Sequence, residues 1–395
     1  MTHFPKDLGE YALGAVLGLG GMGQVFAGRH RLLDRDVALK IRERQSRGGE
    51  KERVSAERFR QGARLQAALD HDAVAQVFDY FEQDHLQVMV MELLSGGSVE
   101  AAIERSAPLA VAEAVDVGRR AAHALAYAHA RGIVHRDIKP GNLVYARSGD
   151  PSSVRVTDFG VAKLAGYSGD LTMAGANVGT LWYMPPEQFN QEEPTALVDV
   201  YALGATVYEM LTGKVPLPEA SHAGLFQRFL DHIPPPPIRA INPQVPLLLA
   251  AVVEQALALE PEERVPSAEI FATWMRASIV GSPVERALGR RELNALDEQV
   301  AAARGAIDRL AKPLRGALDA ALDRLLERGG TSVPPASSPG FGLAKSAVDA
   351  RALTLAVEGS QRAVAAAPPP THFEEDDDFE DDDSTAITTL PEEDD

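Results

Sequence analysis

Residues 135–142 read His-Arg-Asp-Ile-Lys-Pro-Gly-Asn, and sixteen positions beyond Asn142 stands Asp158, followed by Phe159 and Gly160. An aspartate that can orient a hydroxyl and a lysine that can offset charge on a transferring phosphate are two parts of a phosphoryl-transfer apparatus. An asparagine and a second aspartate that can hold Mg²⁺ through oxygen complete it. Either aspartate alone is better read as a cap or turn residue, but capping does not need the whole array. The spacing assigns Asp137 and Lys139 to catalysis and Asn142 and Asp158 to the metal.

A second constellation lies near the N-terminus, where Leu17-Gly18-Leu19-Gly20-Gly21-Met22-Gly23-Gln24-Val25 forms a glycine-rich loop. Missing side chains let backbone N–H groups approach phosphate oxygens. Taken alone, Gly-x-Gly-x-x-Gly fits a dinucleotide fold or a flexible turn equally well. A dinucleotide site wants a helix next and an acid about 20 residues on. Here a second strand is expected instead (24–29), and Val37-Ala38-Leu39-Lys40 follows it. Lys40 closes an apolar run. A strand-end lysine reaching solvent is the ordinary alternative, but after such a loop the α- and β-phosphates of ATP are the better partner.

These groups need a scaffold. Short β-rich runs come first (37–41, 73–81, 87–93) and helical patterns later (110–130, 199–211). Strands early and helices late predict an α+β, bilobal arrangement with a small β-rich lobe and a larger helical one. Pro234–Pro237 read as a surface turn between helices rather than a polyproline ligand. Beyond 280, an apolar stripe from Leu293 to Leu314 predicts a helix. Pro313 suits the first turn of a second helix that Gly329-Gly330 would end. A helical hairpin and a helix merely packed on the larger lobe are equally compatible with this pattern.

Together these residues resemble the Hanks-type (eukaryotic-like) serine/threonine protein kinases, specifically their bacterial branch, over roughly residues 11–279. Gly179-Thr180 with Tyr183-Met184-Pro185-Pro186-Glu187 resembles the end of the activation segment, and the stretch from Asp199 to Gly204 the helix that anchors the catalytic loop. The resemblance implies that Arg264 pairs with Glu187 and that Met91 is the gatekeeper. Glu92 and Leu94 would belong to the hinge, with Val25, Ala38 and Val144 enclosing adenine. Thr180 would help position Asp137 and Lys139, and with Lys139 it points to serine/threonine rather than tyrosine specificity. The implied cofactors are ATP and Mg²⁺, and the implied substrate is a protein hydroxyl. Arg136 would meet a phosphate on the activation segment, with Thr172 the first candidate acceptor and Ser168 the second, or would simply brace the loop.

One departure stands out. The family holds the lysine corresponding to Lys40 with a helix glutamate, but this chain reads Arg58-Phe59-Arg60-Gln61-Gly62-Ala63. Glu57, five positions back, faces elsewhere on a helix. Gln66, four positions on, shares the face of Gly62 and is expected to reach Lys40 through a neutral hydrogen bond. Losing one or two charge-assisted bonds of about 1.5–3 kcal/mol each implies a rate lowered about ten- to a few-hundred-fold. Activity impaired but present is the expectation, and an ATP-binding pseudokinase that recruits partners is the alternative.

Bulk properties narrow the setting. The 395 residues contain no cysteine, which excludes disulfides and thiolate chemistry and suits a reducing compartment. The first residues lack an apolar leader, and the longest apolar run (245–253) is far short of the ~20 residues of a membrane span. A cytoplasmic location without a span is expected. Residues 373–395 hold thirteen acids and no Lys or Arg, so of the net charge of −18 only about −5 belongs to the rest. That tail argues against nucleic-acid binding. The expected organisation is a lead-in at 1–10, the catalytic domain at 11–279 and a helical segment at 280–330. A Pro/Ser/Ala-rich linker with a weak helix (331–372) and a disordered acidic tail (373–395) would follow. The tail would serve docking or autophosphorylation, or only solubility, and it and the C-terminal helices are the possible partner surfaces.

Overall fold

The structure, a computed structural model, describes residues 4–20, 23–45, 49–159, 181–190, 192–219, 221–280, 282 and 312–329. The N-terminal part is a six-stranded sheet of β1 (Asp7–Leu8), β2 (Tyr11–Gly20), β3 (Gly23–His30), β4 (Arg35–Glu43), β5 (Val77–Gln83) and β6 (Leu86–Met91). Their spatial order is β1-β2-β3-β4-β6-β5, with every pairing antiparallel. Helix α1 (Gly49–Ala67) crosses the face on which Ala38, Met89 and Met91 lie, and packs Phe59 and Ala63 against them. Buried Phe59, Gly62, Ala63 and Gln66 recur at three- and four-residue steps, so they share the inner face of this helix. The opposite sheet face is closed by Phe26, Leu39, Ile41, Val88 and Val90.

The C-terminal part is helical. It comprises α2 (Val99–Ser106), α3 (Val111–His129), the two-stranded ribbon β7 (Leu143–Tyr145) and β8 (Val154–Val156), α4 (Pro186–Phe189), α5 (Leu197–Thr212), α6 (His222–Leu230), α7 (Ile238–Ile241), α8 (Leu247–Ala256), α9 (Ala268–Ser278) and α10 (Lys312–Gly329). Serines cap three of these helices. Ser98, Ser221 and Ser267 accept from the N–H groups of Ala101, Gly224 and Ile270, so each satisfies one otherwise orphaned donor. Helix α5 is buried on nearly all sides, which its almost uninterrupted apolar sequence permits. Pro234–Pro237 lie between α6 and α7, as the turn reading expected. Helix α10 starts beside Pro313, and Leu318, Ala321 and Leu322 join the main core with residues of α8 and α9. For this helix, packing on the larger lobe is what the structure gives. The preceding stripe, and the linker and tail at 331–395, lie outside the described residues.

One strand is shorter than the sequence suggests. Of 73–81 only the part from Val77 onward joins the sheet. Ala75 N–H donates to Val156 O at 3.0 Å and Val156 N–H to Ala73 O at 2.8 Å, so 73–76 instead fasten β8 to the region of α1.

His123 of α3 gives the fold an acid sensitivity. Burial first, and then Arg119 and His71, push its imidazole down to about 4. In the unfolded chain it protonates near 6.5, so between these values the unfolded state binds more protons and stability falls as pH drops. About 2 kcal/mol should be lost between pH 7 and 5. Urea midpoints at both pH values should differ less in His123→Gln; an unchanged difference would assign the loss to other groups.

Candidate active site

The catalytic loop is built on a buried carboxylate. Asp199, in the first turn of α5, is 0% exposed. Its Oδ1 accepts from Arg136 N–H at 2.7 Å, and its Oδ2 from His135 N–H at 2.7 Å and from His129 Nε2 at 2.8 Å. Arg136 has φ 67°, a left-handed conformation that costs a non-glycine residue about 1–3 kcal/mol unless its surroundings enforce it. Asp199 supplies that enforcement by receiving both adjacent amides. Asp137 N–H donates to His135 Nδ1 at 3.2 Å, which leaves the ring proton on Nε2 to donate to Thr157 O at 2.8 Å. Thr157 in turn donates its N–H to Asn142 O at 3.0 Å. The loop and the end of β8 are therefore one hydrogen-bonded unit, with Asp158 next in the chain.

Within that unit the proposed catalytic groups converge. Lys139 Nζ lies 3.0 and 3.2 Å from the two carboxylate oxygens of Asp137. A 3-10 turn, Pro140–Asn142, brings Asn142 back over the loop, where its Nδ2 donates to Asp137 O at 2.7 Å and to Asp137 Oδ2 at 3.1 Å. With the amide nitrogen so committed, Asn142 presents its side-chain oxygen as a ligand. Asp158, next in the chain after Thr157, whose N–H is bonded to Asn142 O, carries the carboxylate. Two hard oxygen donors, with the remaining positions left to phosphate and water, suit Mg²⁺ rather than a softer ion. Among the described residues no cluster of three or more His, Asp or Glu forms a fuller cage.

Lys40 is 5% exposed and its Nζ donates to Asp158 Oδ1 at 2.6 Å. Burial opposes ionisation of Asp158, but the Lys40 ammonium, helped by Lys139, outweighs it and holds the carboxyl below its ordinary range. Gly62 is buried on the inner face of α1. The expectation that Gln66 reaches Lys40 is corrected here. Gln66 Nε2 donates to Ala75 O at 2.8 Å, and its Oε1 accepts from Asp158 N–H at 3.0 Å and Phe159 N–H at 3.4 Å. Two backbone donors and a carbonyl complement an amide better than an ammonium would, since Lys40 can offer only donors. Glu57 pairs with Arg60 at the surface, away from the site.

Most of the nucleotide-site candidates lie on β2, β3, β4 and β6 of the sheet and on the β2–β3 turn. Gly20 pairs with Gly23 across the β2–β3 turn; Gly21 and Met22 lie outside the described residues. Gly23 has φ 140°, and a Cβ there would sit 2.3 Å from Ile41 O, so only glycine fits. Gly18 has open space where a Cβ would go, and Leu17 and Leu19 beside it are exposed. Gln24 pairs with Ile41, Val25 with Lys40, and Ala38 with Met91. Val25 and Leu93 pack on the cluster that holds Ala38 and Met91. Glu92 N–H donates to Gln76 O at 2.8 Å, which turns that amide away from the cleft, while Leu94 N–H has no partner among the described residues. Val144, half-buried on β7, bridges to Ser98, the N-cap of α2 in the same helical part. The chain crosses there so closely that a Cβ on Gly96 would lie 2.6 Å from Tyr145 Cβ.

Arg264 is 1% exposed and grips Glu187 in a two-bonded fork at 2.6 and 2.8 Å. Its remaining N–H groups reach Ala258 O at 2.8 Å, Leu259 O at 2.8 Å and Leu197 O at 3.2 Å. The pairing implied by the resemblance is thus present as geometry. Arg136 is half-buried rather than buried. Thr180, Thr172 and Ser168 lie outside the described residues.

Sequence reasoning missed a second set of anchors on α1. Arg42 lies two positions from Lys40 on the same strand face and pairs with Glu52 at 2.6 Å; it also donates to Gln87 Oε1 at 2.9 Å. Gln87 Nε2 donates to Ala56 O at 3.2 Å. The period-2 spacing of Lys40 and Arg42 was the available signal.

Residues 11–275 match the protein kinase domain family. Among curated proteins, the serine/threonine-protein kinase PknB of Mycolicibacterium smegmatis is 35% identical over 282 residues, covering 70% of this chain and 43% of that protein. Pkn1 of Myxococcus xanthus is 35% identical over 274 residues (69% and 38%), and PknH of Mycobacterium tuberculosis 36% over 262 (66% and 40%). The match spans under half the length of these relatives. Among the described residues no helix is long and apolar enough to cross a membrane.

Proposed function

The chain belongs to the protein kinase domain family, and on that basis we propose that it transfers the γ-phosphate of ATP to serine or threonine hydroxyls of proteins. The observation that carries this reading is the assembly of Asp137, Lys139, Asn142 and Asp158 into one unit through His135 and Thr157. Asp137 orients the hydroxyl and receives its proton, while Lys139 offsets charge on the phosphate in flight. Asn142 and Asp158 are the residues that would hold Mg²⁺, which when bound draws charge from the phosphate oxygens. Lys40 meets the α- and β-phosphates, Val25, Ala38 and Val144 enclose adenine, Met91 is the gatekeeper, and Glu92 and Leu94 belong to the hinge. A domain that consumes ATP is expected to work in the cytoplasm. Thr180 as a positioning hydroxyl, Thr172 and Ser168 as acceptors, and the acidic tail as a docking segment belong to the same proposal.

The test is incubation of purified full-length protein with Mg²⁺ and γ-labelled ATP, with acceptor sites mapped by mass spectrometry. Label on Thr172, Ser168 or the tail would identify the acceptor. Binding of ATP without any transfer, to itself or to added protein substrates, would instead favour a partner-recruiting scaffold.

Gly62→Glu probes the missing carboxylate. Because α1 is already fastened by Glu52, Ala56 and Gln66, the added glutamate is expected to raise the rate by no more than about ten-fold, roughly one charge-assisted bond. A hundred-fold gain in kcat would mean that Lys40 is poorly aimed in the parent.

A further inference from the structure

We propose that Gln66 is a positioning residue for Asp158: it ties helix α1 directly to the metal-binding segment, a link that a carboxylate at position 62 would otherwise make through Lys40. This rests on the kinase reading above and names a residue which that reading does not use.

Gln66 is 1% exposed, so its amide has no water to fall back on. Its orientation is fixed by its partners, because exchanging oxygen and nitrogen would set an NH₂ against the N–H groups of Asp158 and Phe159. Asp158 itself has φ 65°, a left-handed conformation that persists only where neighbours over-determine it. Oε1 of Gln66 receives its amide in that conformation. At its other end the amide holds Ala75 O, and Ala75 N–H is bonded to Val156 O on the strand that leads into Asp158. A single side chain therefore joins α1, the 73–76 segment and the Asp158–Phe159 backbone.

The helix is secured independently at its other end by Arg42–Glu52 and by Gln87 Nε2 donating to Ala56 O. None of these bonds involves Lys40. Freed from holding the helix, Lys40 pairs with the Asp158 carboxylate itself. The carboxylate is thus aimed from both sides: Lys40 holds the side chain and Gln66 holds the backbone. When a metal claims the carboxylate, Lys40 must share it and only the Gln66 contact is unaffected. Loss of Gln66 should therefore show most in the metal-dependent part of nucleotide binding.

The experiment uses the full chain and three variants, Gln66→Leu, Gln66→Met and Gln66→Glu. ATP binding is measured by calorimetry with Mg²⁺ and with EDTA, alongside kcat and KM for ATP. In the leucine and methionine variants the tightening of ATP binding by Mg²⁺ and the value of kcat should each fall about ten-fold, as the Asp158 and Phe159 amides both lose their acceptor. Binding in EDTA should stay within about two-fold. Gln66→Glu keeps an acceptor for the two amides but loses the donor to Ala75 O and buries a charge, so its loss should be smaller than that of the leucine variant without vanishing. If leucine at 66 prevents folding, the methionine and glutamate variants decide. Unchanged Mg²⁺-dependent tightening in the variants, even with a lowered Tm, would overturn the inference and leave Gln66 a packing residue. A parent that binds ATP no better with Mg²⁺ than with EDTA would overturn the kinase reading and this inference with it.

Discussion

Asp137→Asn is expected to lower phosphate transfer by about 10²–10⁴-fold while leaving ATP binding within a factor of a few. Asparagine keeps the size and one oxygen of the aspartate, so Asn142 Nδ2 retains a partner at the position it now reaches at 3.1 Å. What disappears is the carboxylate that can receive a proton, together with the negative charge that Lys139 Nζ meets at 3.0 Å. Freed of that charge, Lys139 remains able to meet a phosphate, which is why binding should persist. The split between kcat and nucleotide affinity is the readout. Equal loss of both would mean that the substitution has disturbed the loop. A rate within ten-fold of the parent would remove Asp137 from its proposed role.

Arg264→Ala is expected to cost about 3–5 kcal/mol of stability, the range for breaking a buried ion pair by removing one partner. The magnitude follows from what remains behind. Glu187 would keep a buried carboxylate that has lost both of its bonds, and the carbonyls of Ala258, Leu197 and Leu259 would each lose a donor. Lysine should rescue little, because one ammonium cannot reproduce a planar fork that serves four acceptor groups. Urea midpoints of the parent, Arg264→Ala and Arg264→Lys would decide the matter. A loss below about 1 kcal/mol for alanine would show that water enters and replaces the guanidinium.

How much was legible depended on whether a residue acts through its type or through its surroundings. That residues 135–142 and Asp158 would be brought together was readable because an aspartate, a lysine and two oxygen donors at fixed spacing have few other reasons to occur together. Helices α3 and α5 were readable to within a residue or two because their apolar patterns run for several turns. Gln66 was not. Helix periodicity gave its direction but could not say whether Lys40 or the backbone of Asp158 stood nearer, and an amide accepts either kind of neighbour. The 73–76 stretch was overread for a similar reason: an apolar run shows that a segment is buried, not which strand it joins. Arg42–Glu52 escaped notice because surface ion pairs are common and burial cannot be read from the letters alone.

Helix α10 separates two lengths that are easily taken for one. The stretch alike to other kinases ends at Ile279 by its motifs and at Met275 by family match, yet Leu318, Ala321 and Leu322 sit in the same core as α8 and α9. The unit that folds is therefore longer than the unit that reacts. The patch of α8 and α9 under that helix is interior, unavailable as a docking face, and a fragment cut at the motif boundary would turn part of its own core outward.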